Sequence, residues 1–149
     1  MNRDIALFLR KAKKTALEKG RTGKIAPSRV NAHEFDFDVG GKFRYYDTCL
    51  GSPKFAGQEA LWNEGIPFWA MNYNGRILGL EFCEKFLKEA LMLLSEDLPL
   101  RGPELYQNGD YEYRCRLEGD FNWFSGREEV YFKGKLVYEC NFNGGEILD

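Results

Sequence analysis

The sequence predicts an α+β fold, with one curved antiparallel sheet of about six or seven strands in a meander and two flanking helices. Apolar residues recur at helical spacing over 4–19 and again over 80–94. From residue 33 onward they instead alternate with polar ones, and glycines break the alternating stretches at short intervals. The aromatic share of 15%, from 12 Phe, 8 Tyr and 3 Trp, favours strands and ring-lined surfaces over a helix bundle.

In chain order, Ile5, Phe8, Leu9, Ala12 and Ala16 form the first helical stripe, with Arg10, Lys11, Lys13 and Lys14 largely off it. Asn2 suits the N-cap and Gly20 the position after the last turn. Residues 21–32, with Gly23, Pro27 and Ser28, read as loop. Phe35, Phe37 and Val39 then alternate with Glu34, Asp36 and Asp38, and Gly40-Gly41 turns the chain into Phe43–Thr48. A second hairpin spans 55–73 with its turn at Asn63-Glu64-Gly65, and Asn74-Gly75 closes it. Pro67 lacks an N–H for a ladder, so its strand lies at an edge or begins there.

The second helix carries Cys83, Phe86, Leu87, Ala90, Leu91 and Leu94 on one stripe. Glu81 with Lys85 and Glu84 with Lys88 are spaced for i,i+4 pairs worth a few tenths of a kcal/mol each. Burying each large apolar side chain is worth about 1.5–3 kcal/mol, so packing rather than ion pairing holds this helix on the sheet. Pro99 and Pro103 bracket an irregular loop. Tyr111, Tyr113, Cys115 and Leu117 open a second meander, with turns at Gly119-Asp120 and Lys133-Gly134. No repeat of fixed period is visible. The whole chain, 1–149, reads as one domain: a basic helix and loop over 1–32, then the sheet with its helix over 33–149.

A chain of 149 residues with 44% hydrophobic and 30% charged content supports a full core without staples. No apolar run approaches the roughly 18 residues of a membrane span, and charges interrupt the N-terminus before a secretory core forms, so the expectation is a cytoplasmic protein. Cys49, Cys83, Cys115 and Cys140 are widely spaced with no C-x-x-C pair and a single His33, which argues against metal and for reduced core thiols. Residues 1–30 hold nine basic and two acidic residues, net +7, against net −9 for the rest. The acidic body repels phosphate, so nucleic acid is an unfavoured partner.

Chemistry-bearing patterns are sparse. There is no G-x-S-x-G elbow, Gly20-Arg-Thr-Gly23-Lys24 lacks P-loop spacing, and His33 has no orienting partner nearby. Tyr131-Phe-Lys-Gly-Lys-Leu-Val-Tyr138 does not match the order of an RNA-binding sheet. Asp47, Glu59, Asp120, Glu128 and Glu129 lie on or beside aromatic strands, where two converging carboxylates would serve as acid and base.

The stretches Phe8-Leu-Arg-Lys-Ala12, Tyr46-Asp-Thr48, Phe55-Ala-Gly57, Trp69-Ala-Met-Asn-Tyr73, Phe86-Leu-Lys-Glu-Ala90, Arg101-Gly-Pro103, Gly109-Asp-Tyr111 and Tyr138-Glu-Cys140 resemble a bacterial family, domain of unknown function number 5680. The resemblance implies a bacterial accessory or sensing domain found alone or C-terminal to helix-turn-helix regulators. It brings no assigned activity and no catalytic residues. The chain is therefore expected to bind a small ligand or a protein partner in an aromatic and polar cleft. Tyr46, Asp47, Lys54, Glu59, Trp69, Asn72, Tyr73, Arg101, Tyr113 and Trp123 are the candidate contacts, with no cofactor and no metal. A hydrolase using the sheet carboxylates and an interaction module, homodimeric through the Pro67 edge or the basic helix, are the alternatives.

Overall fold

The computed structural model describes residues 2–149. The first helix, α1 (Arg3–Lys19), is capped by Asn2, whose side chain accepts the Asp4 N–H at 2.7 Å. It ends at Gly20, where φ is 51°, and a 3-10 turn (Gly20–Gly23) follows. Eight strands complete the fold: β1 (His33–Asp38), β2 (Phe43–Gly51), β3 (Lys54–Asn63), β4 (Ile66–Ile77), β5 (Leu105–Asn108), β6 (Tyr111–Asp120), β7 (Trp123–Phe132) and β8 (Lys135–Glu146). The second helix, α2 (Glu84–Leu91), lies between β4 and β5. All pairings are antiparallel, in the order β1-β2-β3-β4-β8-β7-β6-β5, and the sheet stays open.

The α+β class agrees with the sequence, but the strand count is eight, because the four-residue β5 sits in a stretch too short to show alternation. Helix α2 is shorter than the 80–94 stripe. Glu81 precedes it and pairs with Lys135 at 3.4 Å instead of Lys85. Strand β4 runs through Asn74-Gly75 to Ile77 because β8 pairs with it there. Pro67 stands at the start of β4, beside a bulge and before the first β8 partner at Trp69, so its missing N–H costs no ladder bond. Its strand is central, and edge-to-edge pairing through Pro67 is not available; the sheet edges are β1 and β5.

Both helices cover one face, here the inner face. Leu9 and Ala12 of α1 pack with Phe35, Phe37, Tyr45, Leu61, Trp69 and Met71, and Phe86, Ala90 and Leu91 of α2 pack with Tyr113, Val130 and Tyr138. Lys13 is an exception to the expected solvated cations. It is 6% exposed and sits at helical spacing from Leu9 and Ala16.

The architecture also corrects the absence of a repeat. Residues 55–75 and 124–144 align at a constant offset of 69, with identity at Phe55/Phe124, Gly57/Gly126, Glu59/Glu128, Gly65/Gly134, Asn72/Asn141, Asn74/Asn143 and Gly75/Gly144. The chain is a helix plus four strands, made twice. Tyr73 pairs across the β4–β8 seam with Phe142, its own counterpart at that offset, so a pseudo-twofold axis passes between them. Each copy has a glycine under this ring: a Cβ on Gly57 would overlap Tyr73, and one on Gly126 would overlap Phe142.

Candidate binding cleft

Pleating puts Tyr45, Asp47 and Cys49 of β2 on the inner face with Glu59 of β3 and Tyr73 of β4. Glu59 is directly opposite Asp47. Burying Glu59 demands a counter-charge, and α1 supplies it: Lys13 Nζ is 3.0 Å from Glu59 Oε1 and also donates to the Leu100 carbonyl. Tyr45 donates to Glu59 Oε1 at 2.7 Å, and Tyr73 donates to Asp47 Oδ1 at 2.6 Å. Burial, then the adjacent Glu59, pushes the Asp47 carboxyl up to about 6, although the Tyr73 hydroxyl and the charges of Lys24 and Lys13 oppose the shift. Burial also lowers Lys13, with Glu59 acting against it.

The second copy repeats the arrangement with a different cation. Glu128, fully buried on β7, accepts from Tyr113 at 2.6 Å and Tyr138 at 2.8 Å, and Arg101 engages both of its oxygens. Burial works to raise the Glu128 carboxyl, but Arg101 and the two hydroxyls outweigh it and hold the group below its ordinary range. Arg101 lies on the strap, residues 92–104, that leads from α2 to β5, and the Gly102 N–H donates to the Tyr113 hydroxyl at 3.0 Å. Where the first copy has Asp47 opposite its glutamate, the second has Cys115.

Two cavities meet at Leu100 and Arg101. The smaller, about 100 Å³, lies between α1 and the sheet against Lys13, Asp47 and Glu59. The larger, about 770 Å³, lies between the strap and the edge of β6. Its apolar lining includes Leu98, Leu117 and Phe142; its cationic lining includes Arg114, Arg116 and Arg127. The Arg116 side chain makes no hydrogen bond or ion pair among the described residues, whereas Arg114 is held by Glu112 at 2.6 Å and Arg127 by Glu139 at 2.9 Å.

Of the residues singled out from sequence, Asp47, Glu59, Tyr73, Arg101 and Tyr113 gather on the inner face. Trp69 shares that face but serves the core: it is fully buried, stacks on Phe121 at 5.2 Å and donates to the Phe121 carbonyl at 3.0 Å. The other four lie elsewhere. Tyr46 is on the outer face, donating at 2.7 Å to Glu34, which also binds Ser28 and so pins the loop after α1. Asn72 stands in an exposed outer row with Gln58 and Asn143. Lys54 is exposed at the β2–β3 turn, and Trp123, 81% exposed, is at the β6–β7 turn. Sequence reasoning missed Lys13, whose signal was a cation on the apolar phase of α1, and Arg116, which nothing in its local pattern distinguishes.

Among the described residues, no group of three or more His, Cys, Asp and Glu side chains could hold a metal ion, and the four cysteines are free thiols. No helix there is long and apolar enough to cross a membrane. The fold and site define a duplicated α+β domain with an open sheet, one buried glutamate–cation pair in each half and a cationic cleft at one edge. The chain belongs to the family described as Domain of unknown function (DUF5680), which matches residues 47–147. The match covers β3 to β8 with the strap, and leaves α1 and its Lys13 outside. No curated protein and no solved structure matches the chain.

Proposed function

We propose that this chain is a binding domain rather than an enzyme, a sensing or accessory module of the bacterial cytoplasm that takes an anionic, partly apolar ligand or partner in the cleft between the strap and β6. The observation that carries the reading is the cleft itself. At about 770 Å³ it has the volume of a small-ligand site, an apolar floor, and an arginine rim on a sheet that is otherwise acidic. Arg101 closes the inner end of this cleft through Glu128 and does not face the ligand as a free cation. Calorimetric titration with decanoate and octyl phosphate tests the proposal. Saturable binding that weakens with salt and weakens further in Arg116→Glu is expected; a flat titration with both anions, and with acidic peptides, would remove it.

A second reading, a hydrolase using paired carboxylates, is favoured by the Asp47–Glu59 neighbours, one of them titrating near 6. It requires the roughly 100 Å³ cavity to admit a substrate. Turnover of any ester or glycoside that disappears in Asp47→Asn, with a pH profile turning near 6, would support it over the binding reading.

A further inference from the structure

The two copies also differ in how far their first strand runs, and that difference borders the cleft. In the first copy β1 pairs with residues 44–49 of β2. In the second, β5 pairs only with residues 111–114 of β6, and the Cys115 N–H adds one bond to the Glu104 carbonyl at 3.1 Å. Beyond that point the chain leaves the sheet as the strap. Three residues separate the partners Gly51 and Phe55, and four separate the corresponding partners Gly119 and Phe124, so Leu117 is the counterpart of Cys49. Cys49 has His33 opposite it on β1; among the described residues Leu117 has no partner on that side.

Backbone groups of a strand point alternately to its two neighbours. The outward bond of Cys115 makes the odd-numbered residues of β6 those that face away from β7. Leu117 therefore presents its N–H and C=O, and Cys115 its C=O, to the cleft without ladder partners. The side chains divide by the same alternation: Cys115 and Leu117 face the inner, apolar side, while Arg114 and Arg116 face the outer side. Of the four arginines lining the cleft, Arg101, Arg114 and Arg127 already pair with carboxylates, which leaves the Arg116 side chain to meet an acidic partner.

We propose that an extended peptide from a partner protein adds to this free edge as a ninth strand. Its acidic side chains lie on the phase that meets Arg114 and Arg116, and its apolar side chains on the phase that meets Leu117 and the strap. Main-chain bonds supply affinity and the two phases supply specificity, as in other strand-addition modes. The inference rests on the cleft being the binding site and names the class of partner it takes.

Fluorescence anisotropy on the whole chain tests it with labelled eight-residue peptides. One alternates Glu and Val, one has the same composition in two blocks, one alternates Lys and Val, and one alternating Glu–Val peptide is N-methylated at every second residue. The alternating acidic peptide is expected to bind at least about tenfold tighter than the block peptide, the basic peptide and the N-methylated peptide. Arg116→Glu is expected to weaken it by a similar factor with no change in the unfolding midpoint, because Arg116 supports nothing in the fold. Equal binding of alternating and block peptides, or no loss on N-methylation, overturns strand addition. Binding of decanoate or octyl phosphate with no peptide binding overturns the inference while leaving the small-anion reading intact. Failure of every probe overturns both.

Discussion

Asp47 and Glu128 occupy comparable inner-face surroundings and titrate in opposite directions. Burial, then the adjacent Glu59, raises the folded-state value of Asp47 to about 6, above the ordinary 3.8, with the hydrogen bond from Tyr73 opposing the shift. The folded protein then holds that proton more tightly than the unfolded chain, and stability falls as pH rises from about 4 to about 6. Asp47→Asn keeps an acceptor for Tyr73 and removes the charge. It is expected to stabilise the protein by about 2 kcal/mol at pH 7.5 and by almost nothing at pH 4, read from denaturant midpoints at the two pH values. Glu128 runs the other way: its folded-state value is depressed, so its contribution is present at neutral pH and is lost as pH falls. Among the described residues Arg101 is its only counter-ion. Arg101→Ala leaves a buried carboxylate without compensation and is expected to cost about 3–5 kcal/mol, whereas the double change Arg101→Met with Glu128→Gln should recover most of that loss. A cost below about 1 kcal/mol for the single change would show that water enters and solvates Glu128.

At the scale of elements, the paired glycines give a symmetric test. Gly57 and Gly126 occupy matching strand positions with an aromatic ring lying over each, and an added Cβ also meets backbone at 2.6 Å from the Thr48 oxygen or 2.8 Å from the Arg116 oxygen. Backbone cannot step aside as a flexible side chain can. Gly57→Ala and Gly126→Ala are therefore expected to destabilise the fold by similar amounts, about 2 kcal/mol each, in chemical denaturation. A marked inequality would show that one copy of the sheet yields where the other does not. Much of this layer was legible before the structure: α1 with its Asn2 cap and Gly20 end, the hairpins turning at Gly40-Gly41 and Asn63-Glu64-Gly65, and the apolar stripe of α2 all follow from local patterns. The remainder depends on contacts distant in sequence. β5 exists because β6 pairs with it, β4 extends past Asn74-Gly75 because β8 lies alongside, and Lys13 is buried because Glu59 waits 46 residues away. The site divided in the same manner: alternation marks Asp47, Glu59, Tyr73 and Tyr113 as one face only once register is known, and it gives no sign that Trp69 fills the core while Trp123 stands in solvent.

At the scale of the whole molecule, the pseudo-twofold raises the question of whether each copy is a folding unit. The seam argues against it. Trp69 of the first copy stacks on Phe121 and Phe124 of the second at 5.2 and 5.9 Å, its indole N–H bonds to the Phe121 carbonyl, and Leu100 from the strap packs into the same cluster. Lys13 of the first copy is satisfied partly by the Leu100 carbonyl. Along β4, residues 69–77 find their second ladder partner only in β8. Removing the second copy would expose the largest buried ring in the molecule and a nine-residue strand edge together, a loss of the same order as the roughly 5–15 kcal/mol by which a domain is stable. Residues 1–79 alone are accordingly expected to show no cooperative unfolding transition as a monomer. The full chain should lose tryptophan fluorescence and far-ultraviolet dichroism in one coincident transition. Because Tyr73 faces its own counterpart across the axis, any folded species of the half-chain is expected to be a symmetric dimer paired through β4, with two copies of residues 69–77 taking the place of the β4–β8 seam. Sedimentation analysis of the half-chain decides between these outcomes. A folded monomer of residues 1–79 would show that the two copies are held together by the chain rather than by a shared core.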